Sequence, residues 1–179
     1  MTSPTLVRTA LATAAAAAVG TVAADPGTDW YRSLDKPPWQ PPKAAFPVVW
    51  TALYASIAGA TARALDHGPA GERHRLWGAY AVNLTLNAAW PPLFFRARRP
   101  RVALAEIVAL DAANVALVAR VWRSDRLAGA VLLPYLAWTG FATGLNASIA
   151  ARNHDRCSRP DAASARRSRR SRAVHGAAR

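Results

Sequence analysis

The sequence predicts an all-α integral membrane bundle of five transmembrane helices, and three observations carry that fold class. First, 52% of the 179 residues are hydrophobic, yet mean hydropathy is only +0.02, because the charges gather in short clusters between long apolar runs. Second, each run holds about the 20 residues that a helix needs to cross the hydrocarbon core. Third, the connections leave no room for a soluble domain. Hydrocarbon admits only helices or closed barrels, and a barrel strand needs about half that length.

The first run, residues 4–24, is Ala-rich and ends in Val22-Ala23-Ala24. A cleavable secretion signal has that form, but small residues also let helices approach closely in a membrane. A retained first helix is the expectation. The connection from Asp25 to Ala44 carries Trp30, Tyr31, Leu34, Lys36, Pro37, Pro38, Trp39, Pro41 and Pro42. Prolines fix φ and stiffen the chain, so this loop is expected to be a semi-rigid lid whose aromatic residues cap a pocket or anchor at the headgroup level.

The second run, 45–65, places Phe46, Trp50 and Tyr54 four residues apart as an aromatic ridge with Ile57 below. On the third, 76–95, Asn83, Asn87 and Trp90 share one face at about 100° per residue. Gly78, Ala81, Thr85 and Ala88 occupy the opposite face. The polar face either lines a cavity or cross-links helices through hydrogen bonds, and spacing alone leaves both open. The fourth run, 102–122, carries Glu106 and Asp111 about 140° apart, too far around the helix for a paired acid and base. Intramembrane carboxylates are functional candidates by default. A salt link to Arg101 is nevertheless expected for Glu106 and a structural role for the deeper Asp111, with Asn114 on its face. The fifth run, 127–151, puts Tyr135, Trp138, Ala142 and Asn146 on one face and Gly140 and Gly144 on the other.

Five crossings place the N-terminus with the second and fourth connections, and these hold seven basic residues against 16 on the side of the tail. The positive-inside rule puts the C-terminal tail in the cytoplasm. The expected organisation is a transmembrane domain over 1–152 and an Arg-rich disordered tail over 153–179, solvated or drawn to anionic lipid rather than nucleic acid. The single Cys157 excludes an intrachain disulfide framework and a cysteine metal cluster. No metal site is expected.

Several spaced blocks resemble the TspO/translocator protein family, also known as tryptophan-rich sensory protein or peripheral benzodiazepine receptor, over about residues 28–153. They are Trp30-Tyr31, Lys36-Pro37, Trp39 and Pro41-Pro42 in the loop, then Phe46, Trp50-Thr51 and Leu53-Tyr54. Leu86-Asn87, Trp90 and Phe94-Phe95 follow, and finally Leu133-Pro134-Tyr135-Leu136, Trp138, Phe141-Ala142 and Leu145-Asn146. Asn83 stands where the family commonly has Gln, Pro47 comes one position earlier than in many members, and Asp111 occupies a position often apolar or aromatic.

The resemblance implies a homodimeric receptor, sensor or transporter for tetrapyrroles such as protoporphyrin IX and haem, with sterols as further ligands. The porphyrin is a ligand here, and no cofactor is required. Trp50 and Trp138 match two tryptophans implicated in light-dependent porphyrin degradation, which is the enzymatic alternative. Asn83, Asn87, Trp90, Ala142 and Leu145 match a pocket wall, and Trp30, Tyr31, Trp39 and Pro41 match its lid. Phe46, Tyr54, Phe94, Tyr135 and Asn146 complete the candidate lining. Propionates would meet Arg32, Lys36 and Lys43 at the mouth, and Gly78, Ala81, Thr85 and Ala88 would face the second protomer.

Overall fold

The computed structural model describes residues 3–154. The segment 155–179, with the cytoplasmic placement expected of it, lies outside the described residues. The helices are α1 (Pro4–Ala23), α2 (Asp29–Ser33), α3 (Ala45–His67), α4 (Arg73–Pro91), α5 (Pro100–Ser124), α6 (Arg126–Val131) and α7 (Leu133–Arg152). A 3₁₀ turn, Ala70–Glu72, precedes α4, and a π-helical turn, Pro92–Arg96, follows it. All regular structure among the described residues is helical.

Four stretches are long and apolar enough to cross a membrane: α1, α3, α5 and the segment Arg126–Arg152 that joins α6 to α7. The third expected span, in α4, lacks that apolarity because it opens Arg73-His74-Arg75 and carries Asn83 and Asn87, both buried. Two other expectations are revised by proline chemistry. The run 127–151 is not one helix. Pro134 has no N–H for the carbonyl four residues back and its ring crowds that carbonyl, so the chain breaks at Leu132, which bonds Gly129 O at 3.1 Å. Pro91 and Pro92 likewise remove two donors from the end of the third run, which widens into the π-helical turn.

α5 is central and packs on α4 and α7, while α1 lies against α3 and α4. α1 docks through small and hydroxyl side chains. Thr9 Oγ1 donates to Ala58 O at 3.0 Å, Tyr80 OH donates to Thr9 O at 2.6 Å, and Thr13 Oγ1 lies 2.6 Å from that hydroxyl. Near the other end, a Cβ on Gly20 would sit 3.5 Å from the Pro91 ring. α6 folds back on α5 so closely that a Cβ on Gly129 would lie 2.6 Å from the Trp122 ring and 2.8 Å from its Cα. Asp125 holds this corner, accepting from Ala128 N at 2.9 Å and pairing with Arg63 of α3 at 2.7 Å.

Candidate functional site

The lid is built from its own polar groups. Thr28 caps α2 by accepting from Tyr31 N at 3.2 Å. Lys36 Nζ then closes the end of that helix, donating to Tyr31 O at 2.8 Å and Leu34 O at 2.7 Å, with the ammonium 5.0 Å from the Tyr31 ring centre. Burial, and after it the neighbouring Lys43 charge, lowers the Lys36 ammonium from its ordinary value. Burial also raises the Tyr31 phenol. Asn153 latches the loop to α7: Asp35 N donates to its Oδ1 at 3.0 Å, and its Nδ2 donates to Asp35 O at 2.9 Å. Arg152 adds an ion pair to Asp35 at 3.6 Å.

Of the three cations expected at the mouth, Arg32 pairs with Asp29 at 2.8 Å and Lys36 is committed to carbonyls. The short helix α2 was not evident in a loop read as proline-stiffened and extended, although Thr28 before Asp29 is a helix-start pattern.

Beneath the lid the aromatic residues form two adjoining groups. In one, Trp39 of the loop meets Phe141 at 5.7 Å between ring centres, Phe141 meets Trp138 at 5.4 Å, and Trp138 meets Phe46 at 6.0 Å. Trp50 lies 5.3 Å from Tyr54 and 6.4 Å from Tyr135. In the other, Trp90 stacks on Phe94 at 4.9 Å, Trp30 meets Phe94 at 5.7 Å, and Tyr31 meets Phe95 at 5.3 Å. Leu145 belongs to this second group, and Ala142 and Pro41 are half-buried.

The rings of both groups pack edge-on, tilted or stacked against one another, with centres 4.9–6.4 Å apart. Such ring contacts are each worth about 0.5–1.5 kcal/mol beyond the area they bury. Trp39 remains 49% exposed at the edge, where the loop meets solvent.

The Asn face of α4 is committed to other helices. Asn83 bonds Asn114 of α5 and, at 3.2 Å, the Tyr135 hydroxyl of α7. Asn87 donates to that hydroxyl at 2.9 Å and accepts from Tyr54 OH of α3 at 2.8 Å. Asn114 donates to Thr139 at 2.9 Å. A separate pair fixes the end near the lid: Trp90 Nε1 donates to Asn146 Oδ1 at 2.9 Å, and Asn146 Nδ2 donates to Pro100 O at 2.8 Å.

Of the fourth-run carboxylates, Asp111 accepts from Thr143 at 2.7 Å. Glu106 makes no link to Arg101 and has no hydrogen-bond partner among the described residues; five residues of helix turn the two side chains about 140° apart.

Two polar atoms under the lid stay unpaired: Trp138 Nε1 and Gln40 Oε1 are buried with no hydrogen-bond partner among the described residues. A buried donor or acceptor without a partner costs about 1–3 kcal/mol, so a group that bonds them gains that energy. Gln40 and Phe141 were missing from the sequence-derived lining. Phe141 directly precedes Ala142 and was within reach of the helical spacing, whereas Gln40 between Trp39 and Pro41 carries no periodic signal.

Comparison with known proteins places this arrangement. A family model described as TspO/MBR family matches residues 8–152. The chain is 36% identical over 118 residues to a tryptophan-rich sensory protein of Cereibacter sphaeroides, covering 66% of this chain and 73% of that one. It is 36% identical over 130 residues to the human translocator protein, covering 72% and 77%. It is 35% identical over 140 residues to protein CrtK of Rhodobacter capsulatus, covering 78% and 86%. With its apolar helices and a match over most of its length, the chain is an integral membrane protein and belongs to the TspO/MBR family.

Proposed function

We propose that this protein is a membrane receptor or carrier that takes a tetrapyrrole, protoporphyrin IX or haem, beneath the first-loop lid, between Phe46 and Trp50 of α3 and Trp138 and Phe141 of α7. α4 is the fifth crossing in this arrangement, with Asn83 and Asn87 turned inward. The observation that carries the proposal is the buried, unpaired Trp138 indole N–H next to the Phe46 and Phe141 rings. A broad conjugated guest stacks on aromatic faces and needs only a few placed polar groups to orient it. Trp138 Nε1 and Gln40 Oε1 are such groups. A sterol shares the need for a long apolar slot but not for ring stacking, and ranks second as guest.

The test is a titration of the purified protein in lipid nanodiscs with protoporphyrin IX, followed by Trp fluorescence in the dark and porphyrin absorbance under illumination. Saturable quenching with stable absorbance is the expected result. Loss of absorbance that disappears in Trp50→Phe and Trp138→Phe assigns the photochemical activity instead. Quenching that never saturates removes the binding site.

A further inference from the structure

At the end of the bundle away from the lid, the turn between α3 and α4 meets the last turn of α5 around a cleft of about 390 Å³, within the size range of small-molecule sites. Arg75, Arg120 and Arg123 line it together with Glu72, Ser124 and the apolar Leu76. Three arginines therefore line one cleft with a single acidic residue.

That carboxylate is already engaged by Arg75, whose NH1 donates to Glu72 Oε1 at 2.8 Å. Arg120 makes one long bond within its own helix, to Ala116 O at 3.3 Å, and Ser124 Oγ donates to Arg120 O at 3.3 Å. Arg120 and Arg123 are three residues apart on α5, so two cations of like sign are held on adjoining faces beside an open space. Like charges at this spacing repel, and the planar guanidinium is the side chain best matched to a tetrahedral oxyanion. Leu76, buried in the core, adds an apolar contact to the cleft wall.

We propose that the Arg75–Arg120–Arg123 cleft is a binding site for an anionic phosphate group, distinct from the tetrapyrrole site and at the opposite end of the bundle. A phosphodiester headgroup of an anionic lipid and a free phosphate both present this chemistry.

The experiment is native mass spectrometry of the full chain in detergent, titrated in separate arms with phosphatidylglycerol, phosphatidylcholine and inorganic phosphate. It compares the parent with Arg120→Gln, Arg123→Gln and Glu72→Gln, and with Arg99→Gln and Arg101→Gln at the far end of α5. Phosphatidylglycerol affinity is expected to fall about tenfold for each cleft guanidinium removed, and to rise in Glu72→Gln, which frees Arg75. The far-end variants should bind as the parent does, and phosphatidylcholine should bind every variant equally. The same pattern with inorganic phosphate instead assigns a soluble anion as occupant. Equal losses in the cleft and far-end variants, or unchanged affinity in all of them, overturn the proposal and leave the arginines as interfacial charges. The gain in Glu72→Gln cannot come from misfolding, so an unfolded Arg variant does not decide the outcome.

Discussion

Asn114 sits where Asn83 of α4 and Thr139 of α7 both need it, and all three are fully buried. Replacing it with Ala takes one buried hydrogen bond from each of two polar side chains. Interhelical hydrogen bonds in membranes are worth about 1–2 kcal/mol at most, and Asn114→Ala should lower unfolding stability in detergent by that amount. Asp125 gives a pH-dependent counterpart. The Ala128 N–H first, and the Arg63 guanidinium with it, hold its carboxyl below the ordinary 3.8. Its folded-state value lies below its unfolded one. The stabilisation is therefore full above the ordinary value and is lost as pH falls through the depressed one. Parent and Asp125→Asn should differ in thermal midpoint near neutrality and converge in acid; a constant gap from neutral pH down through that range would refute the assignment.

Which Asn, Trp and Tyr residues share a helix face was legible from spacing. What they meet was not. Asn83 and Asn87 fit cavity lining and cross-linking equally well until Asn114 and Tyr135 appeared opposite them, a fact fixed by the neighbouring helices and not by their own.

Among the elements, four of the five expected spans were legible because charge clusters mark where hydrocarbon ends, whereas the breaks depended on single prolines. Pro134 splits the last run and Pro91-Pro92 turn the third run into a π-helical turn. Arg98, at φ 55°, follows that turn in a left-handed conformation that a side chain disfavours. The break at Leu132 also lets α6 press on Trp122, so Gly129→Ala has no room. Overpacking of this kind costs about 1–3 kcal/mol, and a lower thermal midpoint should show it. The lid is tied to the end of α7 by Asn153 and Arg152. Asn153→Ala removes both bonds to Asp35 and should speed proteolysis between Asp25 and Ala44 while leaving the helical circular dichroism unchanged. Unaltered cleavage would show that the Asn153 bonds do not hold the lid, leaving the Arg152 ion pair and the aromatic contacts.

At the scale of the molecule, the face of α4 formed by Gly78, Ala81 and Thr85 is exposed, and a Cβ on Gly78 would meet nothing within 4 Å. Gly140 and Gly144 on α7 are equally open. Close backbone approach through small residues drives helix association in membranes, and we propose a homodimer through the α4 face. Ala88 packs against the core, so the test is Ala81→Leu with Thr85→Leu, which should abolish the crosslinked dimer, while a dimer that persists moves the interface, with Gly140 and Gly144 the competing surface.

The claim on which the functional proposal depends is that a planar guest enters beneath the lid and displaces rings now packed on one another. Ala142, half-buried on the α7 face that carries Trp138, allows the space to be filled from within. The deciding measurement is the equilibrium affinity for protoporphyrin IX of Ala142→Trp, with Ala109→Trp on the exposed face of α5 as its control. A fall of at least about tenfold in the first variant alone, the loss of roughly 1.4 kcal/mol of binding, is the expected result. Affinity equal to the parent's in Ala142→Trp would place the porphyrin outside the bundle and contradict the proposed site.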